Sequence, residues 1–188
     1  MIHSTLSAVV ILFPVSEIIL AILKRSRGRS VQREDRGAML LLWSCIAAGI
    51  FLAIYIHTLP PGQIPGSPLV RQVAALGLLT GGLTIRWIAI LPLGRWFTVD
   101  IAIHSDHAVM DRGLYSYMRH PSYTGLLIAF LGLGVYFGSW LSIFIMMIPI
   151  VIGLFYRVTK EEKALLDSLG SEYAAYCSRT KRFIPGLL

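Results

Sequence analysis

Charge is what this sequence has least of. Asp, Glu, Lys and Arg make up 14% of its 188 residues, against about 25% in ordinary soluble domains, and the mean hydropathy is +0.69. A soluble chain of this size cannot bury so much apolar surface in one small core. A bilayer is the fitting solvent, and the abundance of Leu, Ile and Val excludes disorder. Cysteine is nearly missing. Cys45 lies in an apolar run and Cys177 in a polar tail, which gives neither a disulfide framework nor a metal-ligand spacing. No metal is expected. There is no G-x-G-x-x-G after a strand, no P-loop and no H-E-x-x-H, which excludes the soluble nucleotide-binding folds. Acidic residues are also few, 10 against 17 Lys and Arg, for a net charge of +7; whether that excess means nucleic acid depends on where it lies.

Long apolar runs are what the chain has instead. Residues 5–23 (broken only by Pro14 and Glu17), 38–57, about 70–91, about 123–137 and 141–156 predict five membrane-spanning helices. Nothing basic precedes the first run and no A-x-A site follows it, so it reads as a retained anchor rather than a signal peptide. Residues 24–36 form a solvated basic loop, and the uncharged Pro-Gly stretch 58–69 a turn-rich one. Only residues 138–140 separate the last two runs, which predicts a tight helical hairpin. Of the 17 basic residues, six fall in 24–36, Arg95, Arg112 and Arg119 in the mixed stretch before Pro121, and six in 157–182. This one-sided bias is a topology signal that places those segments in the cytosol; anionic membrane lipids, not nucleic acid, are the expected partners. Gly77 with Gly81 and Gly134 with Gly138 have the spacing that lets membrane helices approach closely. The expected fold class is therefore all-α, a polytopic integral membrane protein of about five transmembrane helices forming a single membrane domain over 1–188.

Chemistry belongs in the two polar segments that frame the hairpin. The hairpin brings the start of the fourth run beside the end of the fifth, so Arg119 and His120 are expected to face Arg157 and Glu161. Pro121 suits a first helical turn, whose free amides and dipole would favour an anionic group. Arg157 and Glu161 share a helix face at a spacing of four, able to pair or to grip a zwitterion. Thr159 and Glu162 fit a capping box, which accounts for Glu162 without function and ranks Glu161 above it. Leu165, Leu166, Leu169, Tyr173 and Tyr176 predict a cytosolic amphipathic helix. Tyr115, Tyr117 and Tyr123 would either line an aromatic pocket or anchor at the interface. The residues themselves give a pocket for an anionic or zwitterionic ligand, and no reaction.

HAVMDRGLYSYMRHPSYTG, 107–125, and EEKALLDSLGSEYAAYCSRTKRFIP, 161–185, resemble the isoprenylcysteine carboxyl methyltransferases. That resemblance implies an enzyme moving a methyl group from S-adenosylmethionine to a lipophilic acceptor, the carboxylate of an isoprenylated cysteine. It divides the chain into variable spans, 1–91, and a cofactor-binding catalytic half, 92–188. It assigns cofactor binding to His107, Ala108, Val109, Met110, Tyr115, His120, Pro121, Ser122, Tyr123 and Glu161, and contact with the acceptor to Arg157. Asp100 stands where the family tends to carry a neutral amide and is left out. Phospholipid methyltransferases and membrane sterol reductases resemble the same half, so a phospholipid or other small-molecule methyltransferase and an NADPH-dependent sterol or lipid reductase stay open. A carboxylate acceptor is already ionised and needs alignment and a dry site more than a base. A gap near Arg86 is the expected entry for its chain.

Overall fold

The structure, a computed structural model, describes residues 2–24, 31–34, 36–57, 62–94, 96–97, 101–104 and 108–184, with residues 2–4, 31–34, 36 and 101–104 described by backbone alone. Helices α1 (Ile2–Leu23), α2 (Arg36–Ile56), α3 (Pro68–Leu93), α4 (Pro121–Phe137), α5 (Trp140–Leu169) and α6 (Ser171–Arg179) account for most of these residues. Four of them, α1, α2, α3 and α5, are long and apolar enough to cross a membrane. Helix α4 has 17 residues, about 25 Å at 1.5 Å per residue, the short end of what spans. The protein is a polytopic membrane protein. Helix α5 is apolar as far as Tyr156 and continues for 13 more residues as a polar extension to Leu169.

The all-α expectation misses one feature, a two-stranded antiparallel ribbon of β1 (Val31–Glu34) and β2 (Ile101–His104), with Val31 opposite His104. Four-residue strands paired across 70 positions carry no local hydrophobic period, so the sequence offers no signal for them. The ribbon joins the basic segment to the mixed segment, and Lys24 Nζ donates to Gly94 O at 2.7 Å beside it. At the opposite end, Ile64 N donates to Gly138 O at 2.9 Å and Trp140 N to Gly62 O at 2.8 Å. The two expected faces are thus built separately, each stitched by its own backbone bonds.

Local chemistry sets the helix ends. Pro68 and Pro121 open α3 and α4, where a missing amide is harmless. Gly138 adopts φ 73° to end α4, and the Ser139 side chain accepts from Ser142 N to start α5. The hairpin forms as expected. Helices α3 and α4 cross closest: a Cβ on Gly82 would lie 2.5 Å from Ala129 N, one on Gly125 2.6 Å from Arg86 N, and one on Gly132 2.7 Å from Leu79 N. Of the glycine pairs singled out by spacing, Gly77 and Gly81 have nothing within 4 Å of an added Cβ, while Gly134 packs on Ile143. Spacing finds small residues but not the face they occupy; Gly82, one residue on from Gly81, is the one turned toward α4. Helix α2 lies on α5 and α1 on α3, with Phe13 edge-on to Phe130 at 5.0 Å.

Candidate active site

The polar start of α4 meets the polar extension of α5 as the hairpin requires, but with partners shifted by one residue. Arg119 donates from Nε to Glu162 Oε1 at 2.7 Å, His120 Nε2 lies 3.2 Å from the same oxygen, and Arg182 Nε donates to Oε2 at 2.8 Å. Glu162 is therefore an ionic knot and not a capping box. Helix α5 runs unbroken through Thr159, whose hydroxyl bonds back to Phe155 O at 2.9 Å, so no helix starts there to be capped. Burial by itself would raise the Glu162 pKa; hydrogen bonds from His120 and Arg119, and the charge of His120, outweigh it and bring it down to about 2.

The knot straps the C-terminal tail to the chain before α4. Arg119 N donates to Lys181 O at 2.7 Å and His120 N to Arg182 O at 2.9 Å; the Arg119 guanidinium also caps the carbonyls of Cys177, at 3.2 Å, and Thr180. Tyr176 donates to Tyr115 O at 2.7 Å, and Tyr115 to Ala89 O at 3.2 Å. Desolvation by burial, and next the charge of Glu161, raises the Tyr115 pKa, so this phenol stays a neutral donor. The predicted amphipathic helix is present in two pieces, because Gly170 at φ 56° ends α5 and lets α6 turn back.

One turn into α4, Tyr123 makes the other polar group. Its hydroxyl donates to Glu161 Oε2 and accepts from Arg157 Nε, both at 2.7 Å. Arg157 and Glu161 are thus joined through a phenol rather than directly. His120 is 5% exposed and stacks on Tyr123 with ring centroids 5.6 Å apart. The amides of Tyr123 and Thr124 bond back to His120 O, each at 3.1 Å, so the free-amide anion site expected at this helix start does not form from them. Pro121 and Ser122 are buried; Tyr117 is 65% exposed, so the three tyrosines do not line one pocket. Ala108 is exposed and Val109 and Met110 half-buried, in a segment pinned to α6 by Asp111 and Arg179 at 2.7 Å. His107 and Asp100 lie outside the described residues.

Tyr123 and Arg157 also stand at one end of a cavity of about 460 Å³ walled by α1, α2 and α4, to which α3 adds Arg86 and α5 adds Arg157. Phe13, Leu42, Ile46, Phe130 and Leu133 make it apolar along its length; Glu17 and Arg86 join Tyr123 and Arg157 at its polar end. Arg86 donates to both Glu17 oxygens, at 2.5 and 2.6 Å, and to Ser122 O at 3.2 Å. Glu17 and Arg86 are both buried, 9% and 5% exposed, where either charge alone would be costly. In the sequence Glu17 and Arg86 stand out only as separate charges in two apolar runs, not as a pair. The signal was their matched depth, six and seven residues before the ends of α1 and α3 at the same face.

Among known proteins, residues 75–167, from α3 through α5, match the isoprenylcysteine carboxyl methyltransferase (ICMT) family. The chain is 33% identical over 120 residues to protein-S-isoprenylcysteine O-methyltransferase of Schizosaccharomyces pombe, covering 62% of this chain and 50% of that protein. It is 29% identical over 185 residues to a probable protein-S-isoprenylcysteine O-methyltransferase of Oryza sativa subsp. indica, covering 95% of this chain and 93% of that one. The chain belongs to the isoprenylcysteine carboxyl methyltransferase family. In this member of the family the matched segment carries Arg86, Tyr123, Arg157 and Glu161 together. The chain spans about half the length of the S. pombe relative and nearly all of the rice and Arabidopsis thaliana ones.

Proposed function

We propose that this ICMT-family protein transfers a methyl group from S-adenosylmethionine to the carboxylate of an isoprenylated cysteine, forming a methyl ester. One observation carries the reading: Arg157 and Tyr123, the latter hydrogen-bonded in turn to Glu161, stand at the polar end of an otherwise apolar cavity. A ligand with an ionised head and a hydrocarbon tail matches that division.

The cofactor's groups fit the donor set here. Glu161 and the Tyr123 hydroxyl suit its ammonium, and the aromatic face of Tyr123 its base. Tyr115, His120, Pro121, Ser122 and residues 107–110 complete its surroundings. When bound, S-adenosylmethionine supplies an electrophilic methyl. The protein's part is to aim the acceptor. Arg157 is 3% exposed, and its planar guanidinium, held at Nε by Tyr123, orients a carboxylate in a way an ammonium cannot. Burial excludes water, so an acceptor carboxylate held by Arg157 would keep its charge undiluted toward the methyl the cofactor would supply. The Arg157 guanidinium disfavours a protonated amine, which separates this reading from phospholipid methylation.

The prenyl chain takes the cavity, gaining about 0.8 kcal/mol for each methylene buried. Helices α1 and α2 both wall it while packing on different neighbours, α3 and α5, so the acceptor enters laterally from lipid. Helix α4 is the fifth span, and the basic end faces the cytosol by the bias of its loops. The test is transfer of labelled methyl from S-adenosylmethionine to N-acetyl-S-farnesylcysteine by the purified protein in lipid nanodiscs. Base-labile label in the lipid product is the expected result; a folded sample that yields none contradicts the proposal.

A further inference from the structure

The acceptor cavity has a definite far end. On α4 it runs from Tyr123 to Phe137, about 21 Å at 1.5 Å per residue, and on α2 from Met39 to Ile54, a similar length. Beyond that end lies a second hollow of about 410 Å³, lined by His57, Arg71, Gln72, Tyr136 and Phe137. The two spaces differ in chemistry: hydrocarbon walls in the first, an imidazole, a guanidinium and an amide in the second. Phe137 is the residue common to both. Its ring is braced on two sides, by His57 with centroids 5.8 Å apart and by Tyr136 at 5.9 Å. Arg71 is held in place behind it. Its Nη1 donates to Ile64 O at 3.4 Å, and a Cβ on Gly138 would come within 3.0 Å of its Nε.

We propose that Phe137 is the stop that sets how long a prenyl chain the enzyme accepts. This deepens the acceptor reading above and rests on it. A chain that ends short of Phe137 stays wholly among apolar walls. A chain that reaches past it must displace the ring from His57 and put hydrocarbon against Arg71 and Gln72, losing the burial that favours it. Removing the ring joins the two spaces and lets an additional isoprene unit through. Enlarging the ring shortens the usable cavity. Because Phe137 lies at the opposite end from Arg157 and Glu161, its substitution alters which chain is held and leaves cofactor binding alone.

The experiment measures kcat/KM for N-acetylcysteine thioethers carrying geranyl, farnesyl and geranylgeranyl chains, with wild type, Phe137→Ala, Phe137→Leu and Phe137→Trp. Each variant is first checked for unchanged S-adenosylhomocysteine affinity, which a misfolded protein would lose. The expected result is a geranylgeranyl-to-farnesyl ratio at least tenfold higher in Phe137→Ala, raised less in Phe137→Leu, and a farnesyl-to-geranyl ratio lowered in Phe137→Trp. Wild type active on farnesyl, with both ratios unchanged in every variant, would overturn the stop and leave the acceptor reading standing. Wild type inert toward all three chains would overturn the acceptor reading and the stop with it.

Discussion

Glu161 and Glu162 are adjacent in sequence, yet their surroundings divide the site into two regions. Around Glu162 every charge is answered from within: Arg119, His120 and Arg182 converge on one carboxylate, and the strapped tail closes over them. Around Glu161 the bonding runs as a single file, Glu161 to Tyr123 to Arg157, and ends at a cavity. The first arrangement holds the hairpin and the tail together. The second sets a buried cation, Arg157, at the cavity with Glu161 one hydrogen-bonded phenol behind it. A fully satisfied cluster is the mark of structure, whereas charges ordered along the wall of a cavity are the mark of a binding site.

Substitutions sharpen that contrast. The largest effect is expected on the cavity side. Arg157→Lys keeps the charge but loses the fork, and should lower turnover about a thousandfold, roughly 4 kcal/mol of transition-state stabilisation. S-adenosylhomocysteine affinity, read by calorimetry, should stay within about threefold; equal losses in both measurements would place Arg157 on the cofactor instead.

The next effect belongs to the knot. Glu162→Gln should destabilise the protein by about 3 kcal/mol, seen as a lower Tm, because Arg119, Arg182 and His120 lose their common carboxylate. The same carboxylate makes a pH prediction. Its pKa is depressed in the folded state to about 2, so its contribution is complete above about pH 4.5 and lost as the pH falls from there toward 2. Wild-type Tm should drop across that window, and the Glu162→Gln protein should drop less.

Tyr123→Phe tests the hinge between the regions. It removes only the hydroxyl that joins Arg157 to Glu161, and should cost about tenfold in kcat/KM, close to 1.4 kcal/mol, with little change in Tm. A contrasting surface pair sets the floor. Lys163 and Asp167 lie 2.5 Å apart on α5 with side chains 69% and 54% exposed, and Lys163→Ala should shift stability by less than about 0.5 kcal/mol. An effect as large as that of Glu162→Gln would mean that exposure is a poor guide to which ion pairs matter here.

The sequence made the membrane class, the hairpin and the meeting of its two polar ends legible, because apolar runs and a three-residue turn are local signals. That Arg157 and Glu161 share one helix face was legible for the same reason, whereas the Tyr123 hydroxyl that joins them was not. What escaped depends on contacts between distant segments. Thr159 and Glu162 have capping-box spacing, but an uninterrupted α5 gives them no helix start to cap, and the true partners of Glu162 come from residues 43, 42 and 20 positions away. The Glu17–Arg86 pair spans 69 positions. Gly82, and not the regularly spaced Gly77 and Gly81, takes the close crossing, since helix rotation is set by packing rather than by spacing. Likewise the cavity is invisible in any single helix, being a space lined by residues of five of them.

The most direct test of the division between the two carboxylates is calorimetric binding of S-adenosylhomocysteine to wild type, Glu161→Gln and Glu162→Gln, each with its Tm. The account predicts that Glu161→Gln binds at least tenfold more weakly with an unchanged Tm, while Glu162→Gln, measured below its lowered Tm, binds within about threefold of wild type. The reverse pattern, binding lost with Glu162 and kept without Glu161, would contradict it.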